Sequence, residues 1–213
     1  MNPRRRLGLL GGSFDPIHRG HLHAARAAQA AFELDRVVFV PAARPPHKPD
    51  IVLASGADRL AMVGLAIAGE PSWSACGIEL DRPGPSYTVD TVRELPAAVG
   101  EADDVDIHLI IGTDNLAGLM GWRDARGLLE RVQPIVVFRA GAARGADVLR
   151  EVCSGLPEPL ALKLERGYLE LPPVTVSASD LRARLAAGAD PGAEVPGLVA
   201  AYIRSSGLYR PAS

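Results

Sequence analysis

The sequence predicts an α/β protein with a doubly wound parallel sheet. Short runs rich in Val, Ile and Leu alternate with longer segments of helical periodicity, and this alternation is typical of βαβ units. The strand runs are almost continuously apolar, as expected for strands that helices cover on both faces. Right-handed crossovers between such strands build a Rossmann-like sheet.

The first half of the chain contains three predicted strands and three predicted helices. The strands cover Leu7 to Leu10, Val37 to Val40 and Ser74 to Leu80. The helices cover His21 to Phe32, Ala57 to Ala68 and Thr88 to Leu95. Ser55, followed three residues on by Asp58, forms a capping signature at the start of the second helix. Residues Asp81 to Pro85 predict a turn.

Two further strands are predicted in the middle of the chain, at Ile107 to Ile111 and at Ile135 to Phe138. The alanine-rich segment Ala140 to Ala146 contains two glycines, which favour a surface loop. A helix at Asp147 to Cys153 is predicted to follow that loop.

The carboxyl-terminal part of the chain is predicted to be helical. Pro172 and Pro173 end the strand before them, because proline has no N–H to donate. Helices are then predicted at Ser177 to Ala187 and at Leu198 to Ser206. The length of 213 residues suits one hydrophobic core, so we expect a single domain over residues 1–213, with residues 172–213 as a small helical cap.

Composition and charge argue against several classes of function. Hydrophobic residues make up 47% and charged residues 23%, the balance of a soluble globular protein. A net charge of −2 gives no basic field to attract nucleic acid or an anionic membrane surface. No apolar run reaches the ~18 to 20 residues of a membrane span, and Leu7 to Leu10 is too short for an export signal. We expect a cytoplasmic protein without nucleic-acid or membrane partners, and a homo-oligomer stays open.

Cysteine and histidine spacing gives no support for a zinc site. Cys76 and Cys153 form neither a Cys-x-x-Cys pair nor part of a larger framework, which predicts buried free thiols in a reducing compartment. A zinc site built on His18, His21 and His23 is disfavoured, because helical spacing points His23 away from His21.

The most informative stretch is residues 11–21, Gly-Gly-Ser-Phe-Asp-Pro-Ile-His-Arg-Gly-His, between the first predicted strand and the first predicted helix. There the end of a strand, a flexible glycine pair and a helix amino terminus converge, so exposed backbone N–H groups suit a phosphate. The stretch is not a Walker loop, since the chain contains no Gly-Lys dipeptide, and it lacks the G-x-G-x-x-G fingerprint.

His18 and His21 are the candidate catalytic residues of this stretch. They lie three residues apart at the helix start, so both can face one bound group, and Gly20 lets that group approach the backbone. Imidazoles can donate hydrogen bonds to phosphate oxygens as negative charge accumulates there. The alternative is a helix-capping histidine beside a surface histidine.

A second anion site is predicted near the carboxyl end. Ser177, Ser179 and Arg182 lie at a helix start, where two hydroxyls, free N–H groups and a guanidinium can hold phosphates. An ordinary N-cap with a surface arginine is the alternative. Lys48, with His47 on a loop rich in proline, can hold a phosphate as a point charge, or be a solvated loop cation.

These motifs resemble those of the nucleotidylyltransferase superfamily, which carries His-x-Gly-His after its first strand. Within it the chain is similar to the nicotinate mononucleotide adenylyltransferase family, in a resemblance that extends from Leu7 to Tyr209. The similar segments, besides residues 11–21, are Pro45-Pro46-His47-Lys48, Ser86-Tyr87-Thr88-Val89-Asp90-Thr91, Gly112-Thr113-Asp114 followed by Trp122, and Ser177-Ala178-Ser179-Asp180-Leu181-Arg182.

The resemblance implies a nucleotidylyltransferase fold and transfer of the adenylyl group of ATP to nicotinate mononucleotide, with Mg²⁺ bound to the ATP phosphates. It implies catalysis by His18, His21 and Arg182. The ATP contacts it implies are Gly11, Gly12, Ser13, Phe14, His18, His21, Gly112, Asp114, Ser177, Ser179 and Arg182. The mononucleotide contacts it implies are His47, Lys48, Thr88 and Trp122, to which Arg123 can add a favourable field.

Two other functions stay open at this point. One is another transferase of the same superfamily, of the pantetheine-phosphate or cytidylyl type. The other is a nucleotide-binding sensor without turnover.

Overall fold

The computed structural model describes residues 4–43, 54–101, 105–139, 145–172 and 176–210. Within them, six strands form one sheet in which every neighbouring pair is parallel. The strands are β1 (Arg5–Gly12), β2 (Arg36–Pro41), β3 (Trp73–Ala75), β4 (Val105–Gly112), β5 (Gln133–Arg139) and β6 (Tyr168–Leu171). Their order across the sheet is β3-β2-β1-β4-β5-β6, which confirms the predicted doubly wound parallel sheet.

Helices connect the strands and follow the last one. They are α1 (Arg19–Phe32), α2 (Gly56–Ile67), α3 (Ile78–Asp81), α4 (Thr88–Ala98), α5 (Thr113–Ala117), α6 (Ala125–Arg131), α7 (Gly145–Ser154), α8 (Glu158–Arg166), α9 (Ala178–Ala186) and α10 (Gly197–Ser205). The sequence predicted α1, α2, α4, α7, α9 and α10 with small shifts at their ends, and β6 ends before Pro172 as predicted. The loop predicted at Ala140 to Ala146 lies mostly outside the described residues.

Each central strand sends alternate side chains into two separate hydrophobic cores. In β2, Val37 and Phe39 face one core, whereas Val38 and Val40 face the other. Helices α1, α2, α9 and α10 cover the first core, and α4 to α8 cover the second. Both faces of the sheet are therefore buried, which explains why its strands are continuously apolar.

The sheet has a switch point beside β1. From β1 the chain moves outward through β2 to β3, and β4 then lies on the other side of β1. In open α/β sheets, the crevice beyond the carboxyl ends of the strands at such a point binds ligands. Here β1 ends in Gly11 and Gly12 and β4 ends in Gly112, and a Cβ atom at Gly11 or Gly112 would meet open space.

The predicted strand at Ser74 to Leu80 is wrong over its second half. The ladder of β3 with β2 ends at Ala75, and the chain then forms the single helical turn α3. This turn buries Glu79 against Thr91 and packs Leu80 on Gly56, where a Cβ would lie only 2.9 Å from Leu80 Cδ2. These tertiary contacts outweigh the strand-like alternation of the sequence.

Gly167→Ala should destabilise the fold, because its Cβ would lie 1.9 Å from the carbonyl oxygen of Pro134, which belongs to β5. We expect the free energy of unfolding to fall by about 1–3 kcal/mol in chemical denaturation, as in other overpacked sites. Gly64→Ala is the matched control, since Gly64 lies inside α2 with open space around it and should gain about 0.5–1 kcal/mol. Equal denaturation midpoints for Gly167→Ala and the parent would contradict this packing.

Candidate functional site

The end of β1 and the loop that leads to α1, residues 11–18, form a cradle at the switch point. Gly12 accepts a hydrogen bond from the N–H of Ala42, which joins the ends of β1 and β2. Phe14 has a left-handed backbone, with φ of 47°, and its ring is fully buried. The ring meets His21 edge-on at 5.1 Å between centroids and lies 5.9 Å from Phe39. Phe14 therefore anchors the cradle to the first core and supports one of the two histidines.

His18 and His21 form a stacked pair at the start of α1. Their ring centroids are 3.8 Å apart with an interplanar angle of 24°, and His18 is the N-cap residue of the helix. The N–H of His18 donates to Nδ1 of His21 over 3.2 Å. An Nδ1 atom that accepts this bond carries no proton, so a neutral His21 carries its proton on Nε2. The backbone thus fixes His21 as an Nε2–H donor.

Gly20 brings the histidine pair close to α9. A Cβ at this position would lie 3.0 Å from two ring atoms of His18 and 3.2 Å from Val176. The absence of a side chain therefore lets the His18 ring and the segment before α9 pack together. The two predicted anion sites lie on neighbouring helix starts as a result.

Arg182 on α9 reaches the cradle directly. Its Nη1 donates to the carbonyl oxygen of Asp15 over 2.7 Å and lies 3.6 Å from Oδ2 of the same residue. Its Nη2 lies 3.5 Å from Ser179 Oγ. Ser177 caps α9, where its Oγ accepts a hydrogen bond from the N–H of Asp180. Ser177 is therefore an N-cap, and Arg182 is held against the cradle and is not a surface arginine.

Asp15 and Arg59 are buried charges beneath the cradle that the sequence did not point to. Arg59, 2% exposed, donates to the carbonyl oxygens of Ser13, Ala42 and Ala54 over 2.7–3.0 Å. Burial lowers the pKa of its guanidinium, and the charge of Asp15 opposes that shift. The sequence signal was weak: Arg59 lies in the first turns of a helix, where the helix dipole disfavours a cation.

The end of β4 lies open on the other side of β1. Thr113 Oγ1 donates to the carbonyl oxygen of Val137 over 3.2 Å and fixes the start of α5. Asp114 lies in the first turn of this helix and is exposed. Because Gly112 has no side chain, the mouth of the crevice beside Asp114 is open.

Residues around the start of α4 form the other part of the candidate site. Thr88 is the first residue of α4, and Trp122 is half-buried against the second core. The Arg123 guanidinium lies 4.8 Å above the Tyr87 ring, and its Nη1 is 3.8 Å from an oxygen of Asp90. Arg123 is therefore engaged with side chains of its own chain.

A buried polar cluster supports this second part, and sequence reasoning did not find its central residue, Glu79. Thr91 Oγ1 donates to Glu79 Oε1 over 2.6 Å, and Arg82 Nη1 donates to Thr91. Burial raises the pKa of the Glu79 carboxyl, while hydrogen bonds with Thr91 and Ser86 lower it. Ser86 Oγ also accepts from the N–H of Ala43. The cluster thus links α3 and α4 to the end of β2.

His47 and Lys48 lie outside the described residues, so their predicted contacts stay predictions. The described chain on either side of them is tied to the site. The N–H of Ala43 bonds Ser86 Oγ at 3.0 Å, and the N–H of Ala54 bonds Oδ1 of Asp15 at 3.1 Å.

Among the described residues, no group of three His, Cys, Asp or Glu side chains could hold a metal ion. Cys76 and Cys153 are free thiols, as predicted, but each is only half-buried, so the prediction that they are buried was wrong. Cys76 follows the edge strand β3 and Cys153 lies on α7, and both pack partly buried against the second core. In the described part of the chain, no helix is both long and apolar enough to cross a membrane.

Comparison with known proteins gives matches along nearly the whole chain. The cytidylyltransferase-like family model matches residues 9–184. A probable nicotinate-nucleotide adenylyltransferase of Bordetella petrii is 43% identical over 97% of this chain and 100% of its own length. One from Synechococcus sp. (strain JA-3-3Ab) is 42% identical over 97% of this chain and 95% of its own.

A solved structure has the same fold at lower identity. The nicotinic acid mononucleotide adenylyltransferase of Plasmodium falciparum, complexed with NaAD, aligns with a TM-score of 0.68. It is 17% identical, and the alignment covers 97% of this chain and 98% of the other. Sequence, family model and fold agree, and the chain belongs to the nicotinate-nucleotide adenylyltransferase family of the cytidylyltransferase-like nucleotidyltransferases.

Proposed function

We propose that this protein transfers the adenylyl group of ATP to nicotinate mononucleotide, forming deamido-NAD and pyrophosphate. The observation that carries the proposal is the stacked pair of His18 and His21 at the start of α1, beside the open ends of β1 and β4. The names of the Bordetella and Synechococcus relatives support the same reaction. We place the reaction in the cytoplasm, where ATP is available and free thiols persist.

The chemistry needs positioning more than proton transfer. An oxygen of the mononucleotide phosphate attacks the α-phosphorus of ATP, and the bond from that phosphorus to the bridging oxygen breaks. The bonding electrons leave with pyrophosphate. The attacking phosphate is already ionised at neutral pH, so no general base is required. A site made of hydrogen-bond donors and one guanidinium suits such a reaction.

The histidine pair and Arg182 would serve different parts of the transition state. His21, fixed as an Nε2–H donor by the His18 backbone, can bond a phosphate oxygen as charge accumulates on it, and His18 lies against it in the same cradle. Gly11, Gly12, Ser13 and Phe14 would supply the backbone of that cradle. Arg182, with Ser177 and Ser179, would hold the β and γ phosphates that leave.

The acceptor would bind toward the start of α4. We propose that Thr88 and Trp122 contact the nicotinate ring, that His47 and Lys48 contact the mononucleotide phosphate, and that Asp114 accepts from ribose hydroxyls. Arg123 already contacts Tyr87 and Asp90, which supports recognition of the nicotinate carboxylate by backbone N–H groups near Thr88 and after Trp122.

Mg²⁺ would bind to the site together with ATP, held by the ATP phosphates. It prefers oxygen ligands and keeps several waters, so it is commonly held by substrate phosphates. The carboxylate of Asp15, buried in the loop that forms the cradle, already accepts two hydrogen bonds on Oδ1 and faces Arg182 with Oδ2. We therefore assign the ion to the phosphate oxygens, where it would offset the charge of the leaving pyrophosphate, and we assign no side-chain ligand.

Pyrophosphate release tests the proposed function. ATP is supplied with nicotinate mononucleotide, nicotinamide mononucleotide or phosphopantetheine in separate reactions, and CTP replaces ATP in a fourth. We expect the fastest release with ATP and nicotinate mononucleotide. Faster release with phosphopantetheine or CTP would favour another transferase of the superfamily, and binding of ATP without release would favour a sensor.

His18→Ala should lower kcat by on the order of 10², with a smaller change in ATP affinity, because the lost donor acts mainly on charge formed in the transition state. The measurement is steady-state kinetics with thermal unfolding as a check of the fold. His108→Gln is the control, since His108 is a buried histidine in β4 whose ring contacts the carbonyl of Asp106. Unchanged turnover in folded His18→Ala would remove His18 from the mechanism.

Arg182→Lys should retain the charge but lose much of the rate, about tenfold or more, because lysine cannot bond Asp15 and a phosphate with one planar fork. Arg184→Lys is the matched control on the same helix, where the arginine pairs with Glu194 at the surface. If both lysine variants turned over like the parent, Arg182 would be no more than a structural contact.

Nicotinate mononucleotide should be preferred over nicotinamide mononucleotide in kcat/KM, by about tenfold or more, because the carboxylate gains hydrogen bonds that the amide cannot make. The preference should survive Arg123→Ala, whereas Trp122→Ala should weaken both substrates by roughly tenfold through lost stacking. Loss of selectivity in Arg123→Ala alone would replace the backbone mechanism with a side-chain mechanism.

A further inference from the structure

The carboxylate of Asp15 joins four segments that are distant in sequence. Its side chain is fully buried, and Oδ1 accepts hydrogen bonds from the N–H of Ala54 at 3.1 Å and the hydroxyl of Tyr209 at 2.7 Å. Oδ2 lies 3.6 Å from Nη1 of Arg182, and Arg182 donates to the main-chain oxygen of the same residue. The reaction proposed above gives Asp15 and Tyr209 no direct contact with substrate.

Tyr209 reaches Asp15 through a tight turn after α10. Gly207 and Tyr209 both have φ of 64°, in the left-handed region, and the N–H of Leu208 bonds the carbonyl oxygen of Ile203. This turn carries the chain back from the end of α10, so that the phenol reaches the β1–α1 loop. Burial and the charge of Asp15 raise the pKa of Tyr209, so the phenol stays protonated and remains a donor at neutral pH.

The two hydrogen bonds on Oδ1 fix the rotation of the Asp15 carboxylate. With Oδ1 occupied, Oδ2 is the oxygen that faces Arg182. Arg182 then bonds Asp15 through Nη1 only, while its Nη2 lies toward Ser179 at the start of α9. A carboxylate released to rotate could take both guanidinium nitrogens in a bidentate pair, which is the stronger geometry.

We propose that Tyr209 is a positioning residue, which holds the Asp15 carboxylate so that Arg182 presents its guanidinium to the phosphates of ATP and pyrophosphate. This inference rests on the proposed function, in which Arg182 holds the leaving group. The segment after α10 is thereby part of the active-site support, although Tyr209 lies 194 residues from Asp15 in the chain.

Tyr209→Phe tests the inference, with Tyr202→Phe as the matched control. Tyr202 also donates its hydroxyl to an aspartate, at 2.8 Å from Asp58 Oδ1, but that contact joins α10 to α2 and includes neither Asp15 nor Arg182. We expect Tyr209→Phe to lower kcat/KM for ATP and to weaken pyrophosphate binding in calorimetry, each by about tenfold. KM for nicotinate mononucleotide should stay unchanged, and Tyr202→Phe should change none of these values.

A second comparison tests whether the effect passes through Arg182. In an Arg182→Ala background, the further change Tyr209→Phe should have almost no effect on turnover or pyrophosphate binding, because the group that it positions is gone. A further tenfold loss there, or equal behaviour of Tyr209→Phe and Tyr202→Phe, would overturn the inference.

Two more measurements separate the possible failures. If Tyr209→Phe did not fold, Asp15→Asn would carry the test, since it removes the charge facing Arg182 and should weaken pyrophosphate binding to a similar extent; parent-like binding would overturn the inference. A parent without pyrophosphate release in the acceptor assay would overturn the proposed function. Pyrophosphate calorimetry needs no acceptor and would still decide the role of Tyr209.

Discussion

The buried charges of Arg59 and Asp15 are the constraint on which the cradle depends. Each would be costly to bury without partners, and together they bond groups of the β1–α1 loop, the end of β2, the start of α2 and the segment after α10. If the loop shifted, a buried charge or a buried carbonyl oxygen would lose its hydrogen-bond partner. These contacts therefore hold the loop in one arrangement, and that arrangement fixes the position of the histidine pair.

The site combines two kinds of hydrogen-bond donor, the imidazoles of the histidine pair and the guanidinium of Arg182. The histidines hold their geometry through a backbone N–H and mutual stacking. Arg182 carries a guanidinium charge and lies 3.6 Å from the carboxylate of Asp15. Toward α4 the support is the cluster around Glu79, whose buried carboxyl joins α3 to α4. Separate buried networks thus support the two parts of the site.

Local patterns were enough to predict most of the fold and the histidine pair. The glycines that end β1, the capping pair Ser55 and Asp58, and the spacing of His18 and His21 all lie within a few neighbouring residues. Arg59 and Tyr209 were not found, because their contacts with Ala42, Ser13 and Asp15 span 17 to 194 residues of sequence and only the fold brings these residues together. Helices α5 and α6 were not predicted for another reason. They contain 5 and 7 residues, which is too few for helical periodicity to be detected in the sequence.

We propose that the cradle is formed before substrate binds, with the histidine pair and Arg182 around one phosphate site. A crystal structure with a non-hydrolysable ATP analogue tests it most directly. We expect the phosphates to lie between the His18–His21 pair and Arg182, with the main chain of residues 11–21 in its present course. Phosphates bound elsewhere, or a main chain that rearranges to reach them, would contradict the account.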